Sequence, residues 1–562
     1  MGRPAAAALA MTQAPALAAV MDRFFAAYYR RHPVSATFIG VHEHDDRLPD
    51  YSERGISDAV AEAESLLAGL RGVPPEPLSK VEALDRALVE GWLDIQRWER
   101  ASPHFVYENP AVYTGEAVFG VIGLFLRDFA PPARRVDAAV ARMHAIPALL
   151  AQGRANVRRA PRAWIDRAIR DCAGADAFFR GGIEILVGEL RLSDPKVRAA
   201  AAVACAAFAE FRAYLETELR PSAHDEYACG GEAFELLLRR GHFLETDAAS
   251  IQRMAEERLA ACEGELQARA KACGAATWRE ALAQLTDRHP TVEGYYARYG
   301  EVWEEARAAA AAHDLVTWPE YPIRYVPQPR WARRAAPHLY FLAYRSPAPY
   351  DRAPIVEYLV PPIDASMPPD EQRRRLRAAN DSVIKLNHVI HHGGIGHHVQ
   401  NWYAYRAASR VGRIAAVDCA SRIALFCGGS MAEGWACYAT DLMEEIGFLT
   451  PLERCAQLYG RLRMAARAYV DVRLHHGALT LDEVAALYEH RIGLTPEAAR
   501  AEAVKNSMFP GTAMMYMAGT GLIHGLRREL AARPGRFDLR RFHDRLLAFG
   551  SVPVSLAGTA MR

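Results

Sequence analysis

Asn387-His388-Val389-Ile390-His391-His392-Gly393-Gly394-Ile395-Gly396-His397-His398-Val399-Gln400 contains five of the chain's 20 histidines, with three glycines between its two His-His pairs. Residues 382–390, which lead into the first histidines, alternate apolar and polar side chains at helical spacing. The histidines therefore lie at the end of a half-buried helix. Several imidazoles are costly to bury unless something binds them, and histidine is the commonest metal ligand. The segment therefore predicts a metal site, against the alternative of a solvated tract or of hydrogen-bonded core histidines.

Two pairs of ligands are compatible with this spacing. His391 and His397 are six residues apart, which places them on different faces of a regular helix. The glycines between them tolerate a bulge or a break that would bring the two rings together. His388 with His391 or His392 has ordinary helical spacing and is the rival pair.

A third ligand is expected from a second helix. Residues 428–445 form a helical run that starts at a Gly-Gly break, and Glu433 lies in its first turn among apolar neighbours. A carboxylate in that position is expensive to bury unless a cation offsets the cost. Glu433 is therefore the predicted acidic ligand.

These residues belong to a longer series of motifs. The series comprises His391, Gly396, His397, His398 and Gln400, then Glu433-Gly434-Trp435-Ala436 and Tyr438, then Arg467, Asp471 and His475, then Pro510-Gly511, Ala513 and Tyr516, with residues 40–50 near the amino terminus. It resembles the bacterial domain-of-unknown-function 885 family, which typically reads H-E-x-x-P-G-H-H-x-Q, E-G-W-A-x-Y and P-G-Q-A-x-x-Y. Members of that family resemble gluzincin metallopeptidases of the helical oligopeptidase and carboxypeptidase type. The resemblance spans nearly the whole chain.

The resemblance implies a site. His391, His397 and Glu433 would hold one divalent metal, with zinc expected first, and His398 would lie in the site or beside the ligands. Tyr516 would donate a hydrogen bond to an oxyanion, the alternative being a buried structural tyrosine. The implied fold is a large helical metallopeptidase-like fold with a cleft.

Two positions depart from the family pattern. His392 stands where the family has its glutamate, and Ile395 stands where it has proline. His392 is interpreted either as the replacement general base or as a further metal ligand, because an imidazole suits both roles. A site richer in nitrogen would also accept iron, manganese or cobalt.

Four polar side chains follow at four-residue spacing on the helix predicted over residues 458–474. They are Arg463, Arg467, Asp471 and, just past the helix end, His475. A surface helix with ion pairs would look the same, but because this run is part of the family resemblance we predict buried residues that orient ligands or substrate. Arg324, beside a predicted strand, is a candidate for binding a substrate carboxylate.

Composition narrows the classes of partner. The 562 residues carry a net charge of +1 with acidic and basic residues interspersed, which argues against nucleic acid or an anionic membrane as partner. Nine cysteines without any C-x-x-C pair favour reduced thiols and a cytoplasmic location. No apolar run is long enough to span a bilayer. The expected partner is a small molecule or a short peptide-like substrate.

The chain is predicted to be mainly α. Residues 1–20 are interpreted as a disordered start rather than a weak signal peptide, residues 21–315 as a helical lobe, and residues 316–562 as a small sheet plus the metal-binding catalytic lobe. A helix is predicted over residues 80–101, and short strands are predicted at residues 323–327, 338–344 and 355–361. The sheet either caps the helices or forms a cleft wall that holds an extended ligand.

The functional prediction is a metal-dependent hydrolase of an amide or small peptide-like substrate, with His392 as base and Tyr516 at the oxyanion. The first alternative is a non-hydrolytic metal-dependent enzyme, such as a lyase, an isomerase or an oxidative enzyme, acting on a small metabolite. The second is a catalytically inactive relative that retains binding.

Overall fold

A computed structural model describes residues 15–74, 78–191, 195–339, 344–345, 348–351, 356–419, 422–423 and 425–562. The α-helices are Pro15–Arg31, Pro33–Ile39, Glu53–Arg71, Lys80–Ala101, Pro110–Ile122, Pro132–Asn156, Arg162–Ala177, Ile183–Glu189, Pro195–Tyr214, Gly231–Leu236, Ala248–Ala272, Trp278–Thr286, Tyr295–Ala312, Pro369–Ala378, Asp381–Val383, His397–Ala404, Arg410–Ile414, Gly429–Glu445, Pro451–His475, Leu481–Ala486, Pro496–Met508, Met515–Ala531, Leu539–Leu547 and Val554–Met561. Wider π-helical turns occur at Pro103–Tyr107, Phe178–Gly182, Leu215–Leu219, Leu237–Gly241, Ile384–Gly393 and Leu487–Arg491, and 3₁₀ turns at Gly123–Phe125, Arg220–Ser222, Arg330–Ala332 and Phe426–Gly428. The predicted mainly α class is confirmed.

Local sequence sets many helix starts. Ser79 caps Lys80–Ala101 and Thr450 caps Pro451–His475, each in a reciprocal capping box with the glutamate three residues on. These hydrogen bonds satisfy amide groups that the first helical turn leaves without partners. The predicted helix at residues 80–101 accordingly has the observed bounds.

The sheet is small and mixed. Ile323–Pro327 pairs in parallel with Val356–Val360, with Ile323 opposite Val356, and Tyr344–Arg345 pairs antiparallel on the other side of Val356–Val360. The strands predicted at residues 323–327 and 355–361 are therefore confirmed where the structure describes them. Of the predicted strand at 338–344, residues 340–343 lie outside the described residues. A separate two-stranded ribbon joins Asp418–Cys419 to Arg422–Ile423.

The amino-terminal prediction needs correction. Helix Pro15–Arg31 begins inside the segment that was expected to be a disordered start, because Leu17 and Val20 bury their side chains in the core. Residues 1–14 lie outside the described residues. No helix among the described residues combines the length and the apolar character that a bilayer span requires.

Three helices build one side of the site, and we name them by their key residues. The glutamate helix is Gly429–Glu445, the arginine helix is Pro451–His475, and the tyrosine helix is Met515–Ala531. Helix Ala248–Ala272 packs along the arginine helix, where Arg269 donates to the carbonyl oxygen of Arg454 at 3.1 Å. Packing therefore crosses the boundary at residue 315 that the sequence predicted between two lobes.

Candidate metal centre

The histidine segment contains the break that its glycines predicted. Ile384–Gly393, the histidine helix, is wound as a π-helix, a rare form that often occurs at functional sites. The chain turns through residues 394–396, and an α-helix restarts at His397. The break brings the rings of His391 and His397 to a centroid distance of 4.9 Å at nearly a right angle. The non-helical pair is therefore the one that meets.

Two tryptophans from other helices fix this break. Trp303 donates its indole N–H to the carbonyl oxygen of Gly393, and Trp435 donates to that of Ile395, each at 2.7 Å. A Cβ on Gly396 would lie 2.6 Å from the Ile390 carbonyl oxygen and closer still to that of His391. Only glycine fits at position 396, and the tight turn is what aims the two histidines at each other.

Gly396→Ala is expected to lower the free energy of unfolding by roughly 2–4 kcal/mol, because overpacking against backbone atoms forces the turn to move. The affected backbone is that of His391, so the metal content of the purified protein is expected to fall as well. Denaturant unfolding and elemental analysis measure the two effects. Gly264→Ala, in the middle of helix Ala248–Ala272 with open space around it, is the control and is expected to be neutral or stabilising. Equal behaviour of the two variants would contradict the packing argument.

Glu433 reaches the cluster because two helices touch through glycine. A Cβ on Gly434 would lie 2.6 Å from the carbonyl carbon of Gly519, so the glutamate and tyrosine helices approach backbone to backbone. Glu433 Oε2 then lies 3.4 Å from His391 Nε2 and 3.6 Å from His397 Nε2. The structure thus brings together all three predicted ligands.

The distances in this trio fit a shared cation better than hydrogen bonds. An N–H···O hydrogen bond spans about 2.7–3.2 Å, shorter than both distances. Two ligands of a tetrahedral ion with bonds of about 2.0–2.1 Å are separated by roughly 3.3–3.4 Å. Glu433 Oε2 is buried and accepts no hydrogen bond of normal geometry from the described residues. A buried carboxylate oxygen without a hydrogen-bond donor is costly unless a cation binds it.

The charges at the cluster also suit a cation. Burial alone would raise the pKa of Glu433, but His391 and His397 outweigh it and hold that pKa well below its usual range. Burial lowers the pKa of His391, although Glu433 opposes the shift. The site at neutral pH therefore offers a carboxylate and a neutral imidazole, both in their metal-binding forms.

His392 joins this cluster from the same helix. One ring nitrogen of each of His391, His392 and His397 lies within 4.8 Å of those of the other two, so these three histidines could also share a metal ion. Nδ1 of His392 donates to the carbonyl oxygen of Asn387 at 2.7 Å, so the lone pair of the neutral ring is on Nε2. Burial and the two neighbouring imidazoles lower the pKa of His392 well below its usual value.

The other two histidines of the segment face elsewhere. Nδ1 of His388 lies 2.6 Å from the hydroxyl of Tyr358 in the sheet. Burial lowers the pKa of His388 to about 4. The rival ligand pair based on His388 is therefore not formed. His398 is buried against the rings of Trp303 and Tyr321 and does not line the cavity described below, so it supports the fold beside the site.

The cluster opens on a cavity of about 860 Å³, a size typical of ligand pockets. His391, His392 and Glu433 line it at one end together with Tyr516 and Arg467. Burial and the nearby charge of Glu433 raise the pKa of Tyr516 well above its usual value, so the phenol stays protonated and can donate a hydrogen bond.

Arg467 packs against the ring of Tyr516. Its guanidinium carbon lies 4.9 Å from the centre of the Tyr516 ring, and its Nε bonds Glu502 at 2.5 Å. The predicted role of Arg467 in orienting site residues is consistent with these contacts. Glu502 was not singled out in the sequence, since an isolated glutamate in a helix carries no signal.

Asp471 and His475 act further from the cavity. Asp471 accepts hydrogen bonds from the backbone N–H groups of Gly511 and Met514, both at 2.9 Å, and His475 donates from Nε2 to the carbonyl oxygen of Asn506 at 3.0 Å. The Asp471 bonds hold the turn that begins the tyrosine helix, and the His475 bond holds the end of the preceding helix, Pro496–Met508. The surface ion-pair alternative is excluded for both residues, because neither side chain is exposed.

Arg324 does not take part in this arrangement. It is 55% exposed and bonds Glu357 on the neighbouring strand at 2.6 Å, and it does not line the cavity. The candidate role in substrate binding is therefore not supported, because strand pairing turns this side chain towards solvent. The sequence missed instead the pair of Asp441 and His524, 2.8 Å apart on the cavity wall.

Comparison with known proteins gives the fold and the family. The structure is similar to one titled "a putative lipoprotein of unknown function" from Shewanella oneidensis, with a TM-score of 0.78 and 22% identity over 97% of this chain and 99% of that one. A second, "the putative lipoprotein" from Colwellia psychrerythraea, has a TM-score of 0.75 and 17% identity over 97% and 98% of the two chains. No curated protein matches the chain. The family described as "bacterial protein of unknown function (DUF885)" matches residues 33–561, and the chain belongs to that family.

Proposed function

We propose that this protein is a metal-dependent hydrolase that acts on an amide or a short peptide-like substrate. The observation that carries the proposal is the approach of two imidazole nitrogens, from His391 and His397, to one buried oxygen of Glu433 at 3.4 and 3.6 Å. Three such ligands and an open side towards a cavity are typical of catalytic rather than structural zinc sites. The resemblance of the motifs to gluzincin metallopeptidases agrees with this assignment.

A divalent cation held by these three residues would polarise a substrate carbonyl and lower the pKa of water. The chain's own groups then divide the remaining work. Tyr516, protonated at neutral pH, would donate a hydrogen bond from its hydroxyl to the oxygen on which negative charge develops. Arg467 packs against the Tyr516 ring and would hold it in place. His392 offers a lone pair on Nε2 that can take a proton from the attacking water.

The decisive experiment measures hydrolysis before and after metal removal. Purified protein is assayed on blocked dipeptides, treated with a chelator, and assayed again after zinc, iron, manganese or cobalt is restored separately. We expect activity to be lost on chelation and regained with at least one metal. Activity that survives complete metal removal would contradict the proposal, and absence of any metal-dependent activity or binding would favour the catalytically inactive relative.

A second candidate is a non-hydrolytic metal enzyme acting on a small metabolite. The observation that favours it is the same ligand set, because two histidines and one carboxylate with open positions also bind iron(II) in oxygenases. His392 in place of a carboxylate base makes the surroundings richer in nitrogen. Activity restored by iron alone, on a metabolite but on no blocked dipeptide, would select this candidate.

We also propose a cytoplasmic location. The eight cysteines whose side chains the structure describes are free thiols, and five of them are buried. The two similar structures carry the word lipoprotein in their titles, so a lipid-anchored location is the competing outcome. Cell fractionation followed by immunoblotting of the native chain separates the two.

A further inference from the structure

The cavity is elongated along the tyrosine helix. Tyr516, Thr520, His524 and Arg528 line it at four-residue spacing, and twelve residues of helix span about 18 Å. The glutamate helix runs beside them in the same direction, since Thr520 bonds the carbonyl oxygen of Gly434 at 3.2 Å and Arg527 bonds Glu445 at 2.8 Å. The cavity is therefore a trough, and the candidate metal ligands His391, His397 and Glu433 lie at one end of it.

Both carboxylates that line this trough already have partners. Glu433 belongs to the metal cluster. Asp441, the other carboxylate that lines the cavity, is bound by Arg461 at 2.8 Å and by His524 at 2.8 Å. Neither carboxylate is left to neutralise a further cation.

Positive charge is not balanced in the same way. Arg467 is bound to Glu502, but Arg463, one helical turn or about 6 Å away along the arginine helix, has no carboxylate within 4 Å among the described residues. The same holds for Arg258 and Arg528, which are exposed where the cavity meets solvent. None of these three arginines forms an ion pair within 4 Å in the described part of the chain, and Glu502, which also acts electrostatically on Arg463, is already bound by Arg467.

We propose that the trough binds an elongated acidic substrate, a short peptide-like chain whose carboxylate is bound by Arg463. Guanidinium groups bind carboxylates through paired hydrogen bonds, and a half-buried arginine does so with less competition from water. A length of about 18 Å admits roughly five extended residues. Arg258 and Arg528 attract the anionic chain at the opening. This substrate class rests on the proposed function for its cleavage but not for its binding.

The test compares two peptides of equal length and nearly equal shape. Triglutamate and triglutamine, both acetylated at the amino end and amidated at the carboxyl end so that only the side chains differ in charge, are titrated calorimetrically into the full chain, with and without bound zinc. We expect triglutamate to bind at least about tenfold more tightly, and Arg463→Gln to remove most of that preference while leaving triglutamine binding unchanged. Arg463→Lys is expected to retain part of the preference. This result would show that the preference depends on a positive charge at position 463 and that the variants remain folded.

Arg454→Gln is the matched control. Arg454 is exposed on the same helix but does not line the cavity, so its replacement is expected to leave both affinities unchanged. Equal affinity for the two peptides would overturn the proposal, as would an Arg463→Gln variant that weakens both equally. Inorganic phosphate that competes with triglutamate at the same affinity would overturn the elongated substrate, because it would show a simple anion site.

The outcomes separate this inference from the proposed function. Preferential binding of triglutamate without metal-dependent cleavage would sustain the inference and refute the hydrolase. Metal-dependent cleavage of neutral blocked dipeptides without any preference for acidic ones would do the reverse.

Discussion

His391→Ala, His397→Ala and Glu433→Ala are each expected to abolish stoichiometric metal binding by the purified protein. Each side chain contributes one of the three atoms that converge at 3.4 and 3.6 Å. Groups that only orient a ligand are worth roughly 10–100-fold in metal affinity, so loss of a ligand is expected to cost more than about a hundredfold. Elemental analysis after dialysis against a weak chelator measures the effect.

His388→Gln is the matched control for these variants. His388 belongs to the same histidine helix, but its ring is held by Tyr358 and does not join the cluster. It is expected to retain metal, and far-ultraviolet circular dichroism should show all four variants folded. If the three ligand variants kept their metal, the site assignment would fall. If the His388 variant lost its metal too, the losses would reflect packing of the helix rather than coordination.

The sequence predicted well those parts of the molecule that residue types and ordered motifs encode. The capping box of Ser79 and Glu82 starts a helix whose bounds were predicted correctly. The ligand trio of His391, His397 and Glu433 was predicted from residue types and motif order, and the structure brings its atoms together. Both depend on chemistry that is readable in the chain itself.

The remaining parts depend on segments that are distant in sequence. The π-helical winding of the histidine helix ends where Trp303 and Trp435 bind its last turn and the break, and no local pattern announces those bonds. The outward position of Arg324 follows from pairing with Glu357 across the sheet. The close contact of Gly434 with Gly519 joins two helices, although each glycine alone looks like a weak helix former.

His392→Glu is expected to raise hydrolysis of blocked dipeptides by about a hundredfold, because a positioned general base contributes roughly 10²–10⁴-fold. Burial and neighbouring imidazoles lower the pKa of His392 well below its usual value, so the native ring is a weak proton acceptor. A glutamate at this position would provide the carboxylate base that the family pattern H-E-x-x-P-G-H-H-x-Q has there. The change costs the hydrogen bond from His392 to the Asn387 carbonyl, a loss of about 1 kcal/mol that the fold can tolerate.

His392→Gln separates basicity from shape, since glutamine matches glutamate in size and accepts no proton in this range of pH. It is expected to leave hydrolysis at or below the native rate, with metal content measured in parallel for both variants. A glutamate variant that keeps its metal but gains no activity would mean that position 392 does not face the attacking water. In that case His392 is better explained as a further metal ligand, because one of its ring nitrogens lies within 4.8 Å of those of His391 and His397. That result would favour the non-hydrolytic candidate.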